Sequence, residues 1–280
     1  MEQKMPKISG KTPKYGILGS PIAKSLSPAI HNHAISELGL DALYVPIPYD
    51  GEDINGLIEW LPKLGYAGIN ITVPFKEKVA AALPQIVLDS VNTLRFDADS
   101  QPKAISTDGK GFYRALEREC HPGDFDQIIV LGSGGAVISI LDYFYQKHPQ
   151  IRTQVIRRST RNDERIQKIC CGNAKFKSFD PSSIPSALED GKNALFIQGT
   201  SAPMHGNPLS DFANELDRLE GFLVDITYGY PSDLLKSGKS KGLKTQDGLP
   251  MLIEQARVSQ EFWWNKSASY DEILRVLSNS

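Results

Sequence analysis

The chain has 280 residues, 40% of them hydrophobic, which is long enough for two compact domains of ordinary size. Lys and Arg number 31 against 33 Asp and Glu, so no surplus of one sign points to a nucleic-acid or membrane-surface partner, and the expected ligand is a small molecule. Three cysteines, two of them adjacent (Cys170 and Cys171), form neither a metal-ligand spacing nor an even disulfide framework, which fits a reducing, cytoplasmic setting.

Met1 to Lys14 is Lys-rich, lacks the apolar core of a signal peptide and reads as a loose tail, and no later run has the length of a membrane span. Tyr15 to Gly19 is a short apolar run ended by glycine, as in a buried strand, and Ile30, Ala34, Ile35 and Leu38 then mark a helix over Pro28 to Leu38. Leu43 to Ile47 predicts a second strand, Gly56 to Leu64 a second helix and Gly68 to Val73 a third strand. This β, α, β, α, β alternation implies parallel strands. Phe112 to Glu119 has helical spacing, and the turn-like His121-Pro122-Gly123-Asp124 marks passage into a second unit.

That unit opens on the wholly apolar strand Ile128 to Leu131. There follow a helix over Ala136 to Gln146, a strand at Val155-Ile156, a helix over Asp163 to Cys170 and a strand over Ala194 to Ile197. A helix over Asp211 to Leu219, a strand over Phe222 to Ile226 and a polar turn at Ser237 to Ser240 come next. Two further helices, Met251 to Trp264 and Tyr270 to Leu277, close the chain. The fold class is therefore α/β. His31 and His33, one residue apart on a helix, face different ways, and His121, His148 and His205 are scattered, so no metal site is expected.

Gly132-Ser133-Gly134-Gly135 lies between a strand and a helix, where a bare backbone can approach a pyrophosphate that meets the helix's unpaired N–H groups. Val137 stands in place of the third glycine of the dinucleotide fingerprint. Roughly 20 residues on, where an NAD site places an acid for the ribose 2′-hydroxyl, the chain has Arg157-Arg158-Ser159-Thr160-Arg161. Guanidinium groups and hydroxyls suit a 2′-phosphate, and this predicts NADP over NAD. The competing readings are a tight turn and a solvated basic loop.

Seven short runs carry polar residues in an otherwise apolar or Gly-rich setting. They are Ser25-Leu26-Ser27-Pro28, Asn70-Ile71-Thr72-Val73-Pro74-Phe75-Lys76, Val91-Asn92-Thr93, Ser106-Thr107-Asp108-Gly109, Gly132 to Gly135, Asp225-Ile226-Thr227-Tyr228 and Gly248 to Gln255. In this order and spacing the chain, from Tyr15 to Trp263, resembles the shikimate dehydrogenase family. The resemblance implies two domains: an N-terminal α/β substrate domain with a mainly parallel sheet (1–111 and 246–280) and a Rossmann-like NADP-binding domain (112–245). It implies oxidation of shikimate to 3-dehydroshikimate, with Lys76 as acid/base paired with Asp108. It also implies that Ser25 and Ser27 hold the substrate carboxylate near Tyr228, and that Asn70, Thr72, Asn92, Thr107 and Gln255 meet the ring hydroxyls. On the cofactor side it implies Gly132, Ser133, Gly134, Gly135, Ala136, Arg157, Arg158, Ser159, Thr200 and Gly248.

Standing alone, Ser-x-Ser-Pro is a loop with a capping serine, and Tyr228 is equally well a core tyrosine. Ser106, Gln198 and Pro203 depart from the family pattern, and the interval from Lys76 to Asn92 is short. These departures keep a relative acting on quinate, an amino-substituted shikimate or another cyclic hydroxy acid as an alternative. A catalytically silent ligand-binding regulatory protein is the alternative of another class. The expected partner is a cyclic hydroxy acid, with no nucleic acid and no membrane, and the assembly is a monomer or homodimer.

Overall fold

The computed structural model describes residues 8–83, 90–97, 101–178, 192–207, 209–214 and 216–279. The chain divides into two compact units, Met1–Gly111 with Ile253–Ser280, and Phe112–Leu252. Part of the predicted tail and part of the short interval before Asn92 lie outside the described residues. Within the described part of the tail, Thr12 is buried and its hydroxyl accepts the Ser9 N–H at 3.0 Å.

The first unit opens with β1 (Lys14–Gly19), α1 (Ser27–Glu37), β2 (Leu43–Pro48), α2 (Ile54–Lys63) and β3 (Tyr66–Ile71). It continues with α3 (Lys76–Ala82), β4 (Thr93–Arg95), β5 (Lys103–Ile105) and the start of α4 (Asp108–Glu117). Its sheet runs β2-β1-β3-β4-β5, with β1, β2 and β3 parallel and β4 and β5 antiparallel. Alternation along β1 sends Tyr15 and Ile17 to one core, with Ile35, Tyr44 and Trp263, and Leu18 to the other, with Ile69, Ile71 and Leu94.

The second unit contains β6 (Gln127–Leu131), α5 (Gly135–Lys147), β7 (Arg152–Arg157), α6 (Asp163–Ile169), β8 (Ala174–Ser178) and β9 (Ala194–Gln198). After these come α7 (Ser210–Asn214), β10 (Gly221–Asp225), α8 (Asp233–Ser240) and β11 (Lys244–Gln246). The last helices are α9 (Leu249–Trp264) and α10 (Tyr270–Ser278). The second sheet is wholly parallel in the order β11-β10-β9-β6-β7-β8. Strands covered on both faces must be apolar throughout. Thus Ile128 and Val130 of β6 join one core and Ile129 and Leu131 the other. No described helix is long and apolar enough to cross a membrane.

The polar stretch Ser237–Ser240, expected as a turn, forms the end of α8 instead. Ser232 caps that helix by accepting the Leu235 N–H, buried Leu234 anchors it, and the reversal comes only at Gly242. The helix expected over Asp211 to Leu219 is broken into α7 and a 3-10 turn at Leu216–Arg218.

Candidate active site

Two helix starts in the first unit bring the charged pair together. β3 ends at Ile71, the Val73–Pro74 bond is cis, and Lys76 opens α3 with Phe75 as its N-cap. Asp108 sits in the first turn of α4, where the positive end of a helix favours a carboxylate. Lys76 Nζ lies 2.6 Å from Asp108 Oδ2, with side-chain exposures of 23% and 3% respectively. The carboxylate is held inside while the ammonium keeps an edge toward solvent, as a group that exchanges protons with a ligand requires.

Asn92 fixes the other oxygen of Asp108. Its Nδ2 donates to Asp108 Oδ1 at 2.9 Å and to Thr107 Oγ1 at 2.9 Å. Its Oδ1 accepts the Thr107 backbone N–H at 2.8 Å and the Thr93 hydroxyl at 3.3 Å. A carboxamide has two N–H donors and two lone pairs, so this set engages all four. Asn92 and Thr107, expected to meet ring hydroxyls, are both buried here and hold the aspartate in place.

Asn70 has a similar setting. Its Nδ2 donates to Thr93 Oγ1 at 2.9 Å and to Ser259 Oγ at 3.0 Å, and its Oδ1 accepts the Tyr44 phenol at 2.7 Å. Burial pushes the Tyr44 phenol well above its ordinary pKa, partly offset by a hydrogen bond from Ser27, so the ring stays a donor. His31 stacks on Tyr44 with centroids 4.3 Å apart, and burial lowers its pKa to about 3 against a weaker opposing bond to Asn70. It is a neutral core ring. Ser25 Oγ accepts the Ser27 N–H at 3.3 Å, and Leu26 rather than a serine is the N-cap of α1. Gln255 is half-buried on α9, where its backbone crosses Gly111. A Cβ on Gly111 would come within 2.6 Å of the Gln255 nitrogen, so the bare glycine permits that approach.

In the second unit the glycine run follows β6, whose neighbours are β7 and β9. The chain leaves β6 in one direction for β7 and returns on the other side at β9, so the C-terminal ends of β6 and β9 flank a topological switch point. Gly132 has φ +110°, open only to glycine without strain, and Gly134 is the N-cap of α5 with open space where a Cβ would stand. Ser133, Gly135 and Ala136 are partly exposed beside it. This bare, open cradle at a helix start fits a pyrophosphate. Val137 is accommodated from the neighbouring strand end: a Cβ on Gly199 would lie 2.2 Å from Val137 Cγ2. The glycine that allows close packing is present, but at the end of β9.

Arg157, expected to face the nucleotide, has its guanidinium bonded through two nitrogens to Asp163, and it lies over the Phe176 ring at 5.2 Å. It shapes the loop. Arg158, Ser159, Thr160 and Arg161 are exposed at its tip. Asn162, which carries no signal of its own in the sequence, donates to the Ser133 carbonyl at 2.7 Å and ties this loop to the glycine run. Gln198 donates to the Thr200 carbonyl at 3.0 Å and accepts the Thr200 N–H at 2.6 Å. It also donates to Asp225 Oδ1 at 3.2 Å, so this departure from the family pattern still organises the loop after β9. Pro203 opens a 3-10 turn. Tyr228 follows β10, and burial raises its pKa and keeps the phenol a donor. Gly248 donates to the Thr227 carbonyl at 3.0 Å.

Fold and site define a two-unit α/β protein with a lysine–aspartate pair in one unit and a doubly wound sheet of dinucleotide-binding order in the other. The family model for the shikimate dehydrogenase substrate binding domain matches residues 17–93. An NADP(+) shikimate dehydrogenase of Jannaschia sp. is 32% identical over 94% of this chain and 96% of its own length. One from Bacillus subtilis is 30% identical over 94% and 95%. The crystal structure of shikimate dehydrogenase from Aquifex aeolicus superposes with a TM-score of 0.82 at 26% identity, over 96% of this chain and 99% of that one. The chain belongs to the shikimate dehydrogenase family.

Proposed function

We propose that this chain is an NADP-dependent oxidoreductase that interconverts shikimate and 3-dehydroshikimate. The observation that carries the reading is the Lys76–Asp108 pair, closed at 2.6 Å with the aspartate buried and the lysine still reaching solvent. NADP supplies the redox chemistry when bound, and the chain supplies orientation and proton transfer. Lys76 takes the proton of the reacting hydroxyl in one direction and returns it in the other, while Asp108, bound by Asn92, holds the ammonium in line. The curated relatives carry NADP(+) in their names, and the exposed Arg158, Ser159, Thr160 and Arg161 match that preference by charge and hydrogen bonding. Arg157 supports the loop through Asp163.

The test is initial NADPH formation from shikimate, quinate and ring analogues, with NADP and with NAD, by the native chain and by Lys76→Ala. Shikimate with NADP is expected to be the fastest combination, and loss of the acid/base group to lower kcat by about 10²–10⁴. A faster rate with another ring acid moves the substrate assignment to that compound. Ligand-dependent stabilisation without turnover would establish a binding protein instead.

A further inference from the structure

The hydrogen bonds around Asp108 continue away from it through Asn92 and Thr93 to a residue on α9 that has no part in the proton transfer. Ser259 is buried, and its hydroxyl donates to the Gln255 carbonyl one helical turn back, at 3.1 Å. With its hydrogen engaged there, its oxygen is an acceptor for Asn70 Nδ2 at 3.0 Å, and it lies 3.0 Å from Thr93 Oγ1. Asn70 Nδ2 also donates to Thr93 Oγ1 at 2.9 Å. An amide nitrogen carries two hydrogens, which meet these two hydroxyls, with the Asn92 carbonyl a longer third acceptor at 3.4 Å.

We propose that Ser259, together with Thr93, is a positioning residue that fixes the orientation of the Asn70 carboxamide beside a bound ring. With both N–H groups held, the Asn70 carboxamide is fixed in one orientation, its Oδ1 receiving the Tyr44 phenol. Ser259 and Thr93 are both buried and act through Asn70. Thr93 also donates to Asn92 Oδ1 at 3.3 Å, so this one hydroxyl touches both carboxamides of the site. A salt-free, uncharged brace of this kind holds orientation without altering the charge of the Lys76–Asp108 pair.

This inference rests on the first unit being a ring-acid site, so its test has one readout that depends on turnover and one that does not. The variants are Ser259→Ala, Thr93→Val, the two combined, and Thr93→Ser as the conservative form that keeps the hydroxyl. In the first readout, Ser259→Ala is expected to raise the shikimate KM about fivefold, the size of one net hydrogen bond, with kcat held within about twofold. Thr93→Ser should stay near native, and the double variant should fall short of the product of the single effects, because both hydroxyls hold one amide. The second readout is proton exchange of the Asn70 side-chain amide in 15N spectra, assigned by its loss in Asn70→Asp. Exchange should be slow in the native protein and fast in Ser259→Ala.

If the native chain does not turn over shikimate, the proposed function fails while the exchange readout still decides the brace. Unchanged exchange in Ser259→Ala overturns the inference, as does a parallel loss of kcat, KM and melting temperature. Should Ser259→Ala fail to fold, Thr93→Val carries the same comparison.

Discussion

A histidine buried beside a tyrosine shows how a single side chain makes the first unit sensitive to acid. His31 is 1% exposed, with Nδ1 unpaired and its pKa lowered to about 3 from an ordinary 6.5. The unfolded chain therefore binds the proton more readily than the folded one between those values. Stability is complete above pH 6.5 and is lost as the pH falls through the window toward 3, at up to about 1.4 kcal/mol per pH unit. His31→Phe keeps a ring against Tyr44 and does not titrate. Urea unfolding at about pH 7.5 and pH 5 should show the native chain losing roughly 2 kcal/mol more than this variant. A difference that stays constant with pH would mean that His31 is not the neutral buried ring described. Position along the chain also decides which site residues are legible in the sequence. Lys76, Asn92, Thr107 and Asp108 lie in runs where several polar residues stand together, so the runs themselves single them out. Tyr44 and Ser259 carry no such mark, because their value comes from meeting Asn70, which is 26 and 189 residues away respectively.

At the scale of elements, legibility follows length and period. β6 and β9 are five-residue strands buried along their whole length, each with four consecutive apolar residues and one glutamine, and both are plain in the sequence. β4, β5 and β11 have three residues each, too few to show a period of two, and none of them is expected from the sequence. The helix α3 is also not among the elements predicted, although Lys-Glu-Lys-Val-Ala-Ala-Ala is a run of good helix formers, because seven residues are too few to show a helical period. The place of the third fingerprint glycine has a tertiary explanation: Gly199, 62 residues beyond Val137 in the numbering, provides the space. Gly199→Ala should therefore put a methyl into Val137 and destabilise the second unit by about 1–3 kcal/mol. Adding Val137→Ala removes Cγ2, the methyl that clashes, and should recover part of the loss. The comparison is by urea unfolding of the two single variants and the double. Strictly additive losses would show that these side chains do not share the space.

At the scale of the whole molecule, each unit has cores of its own among the described residues. The clusters around Ile69 and around Trp263 use residues of the first unit alone, and those around Phe144 and Phe196 use residues of the second alone. Cooperative unfolding follows the contiguous core, so two units that each have their own cores are expected to give two resolved transitions in calorimetry. Ligands that bind one folded unit raise only the transition of that unit, by about 2.7 kcal/mol at a hundredfold excess over Kd. NADP alone should thus move one transition by several degrees and shikimate alone the other. Gly134→Asp, which places a carboxylate in the open cradle at the start of α5, should abolish the NADP shift and leave the shikimate shift intact. Asn70→Ala should do the reverse. A single transition that responds to both ligands would instead make the two units one cooperative body, and the core boundaries would then not be the boundaries of stability. Crossed effects of the two variants, with separate transitions retained, would place at least one ligand on residues other than those assigned to it.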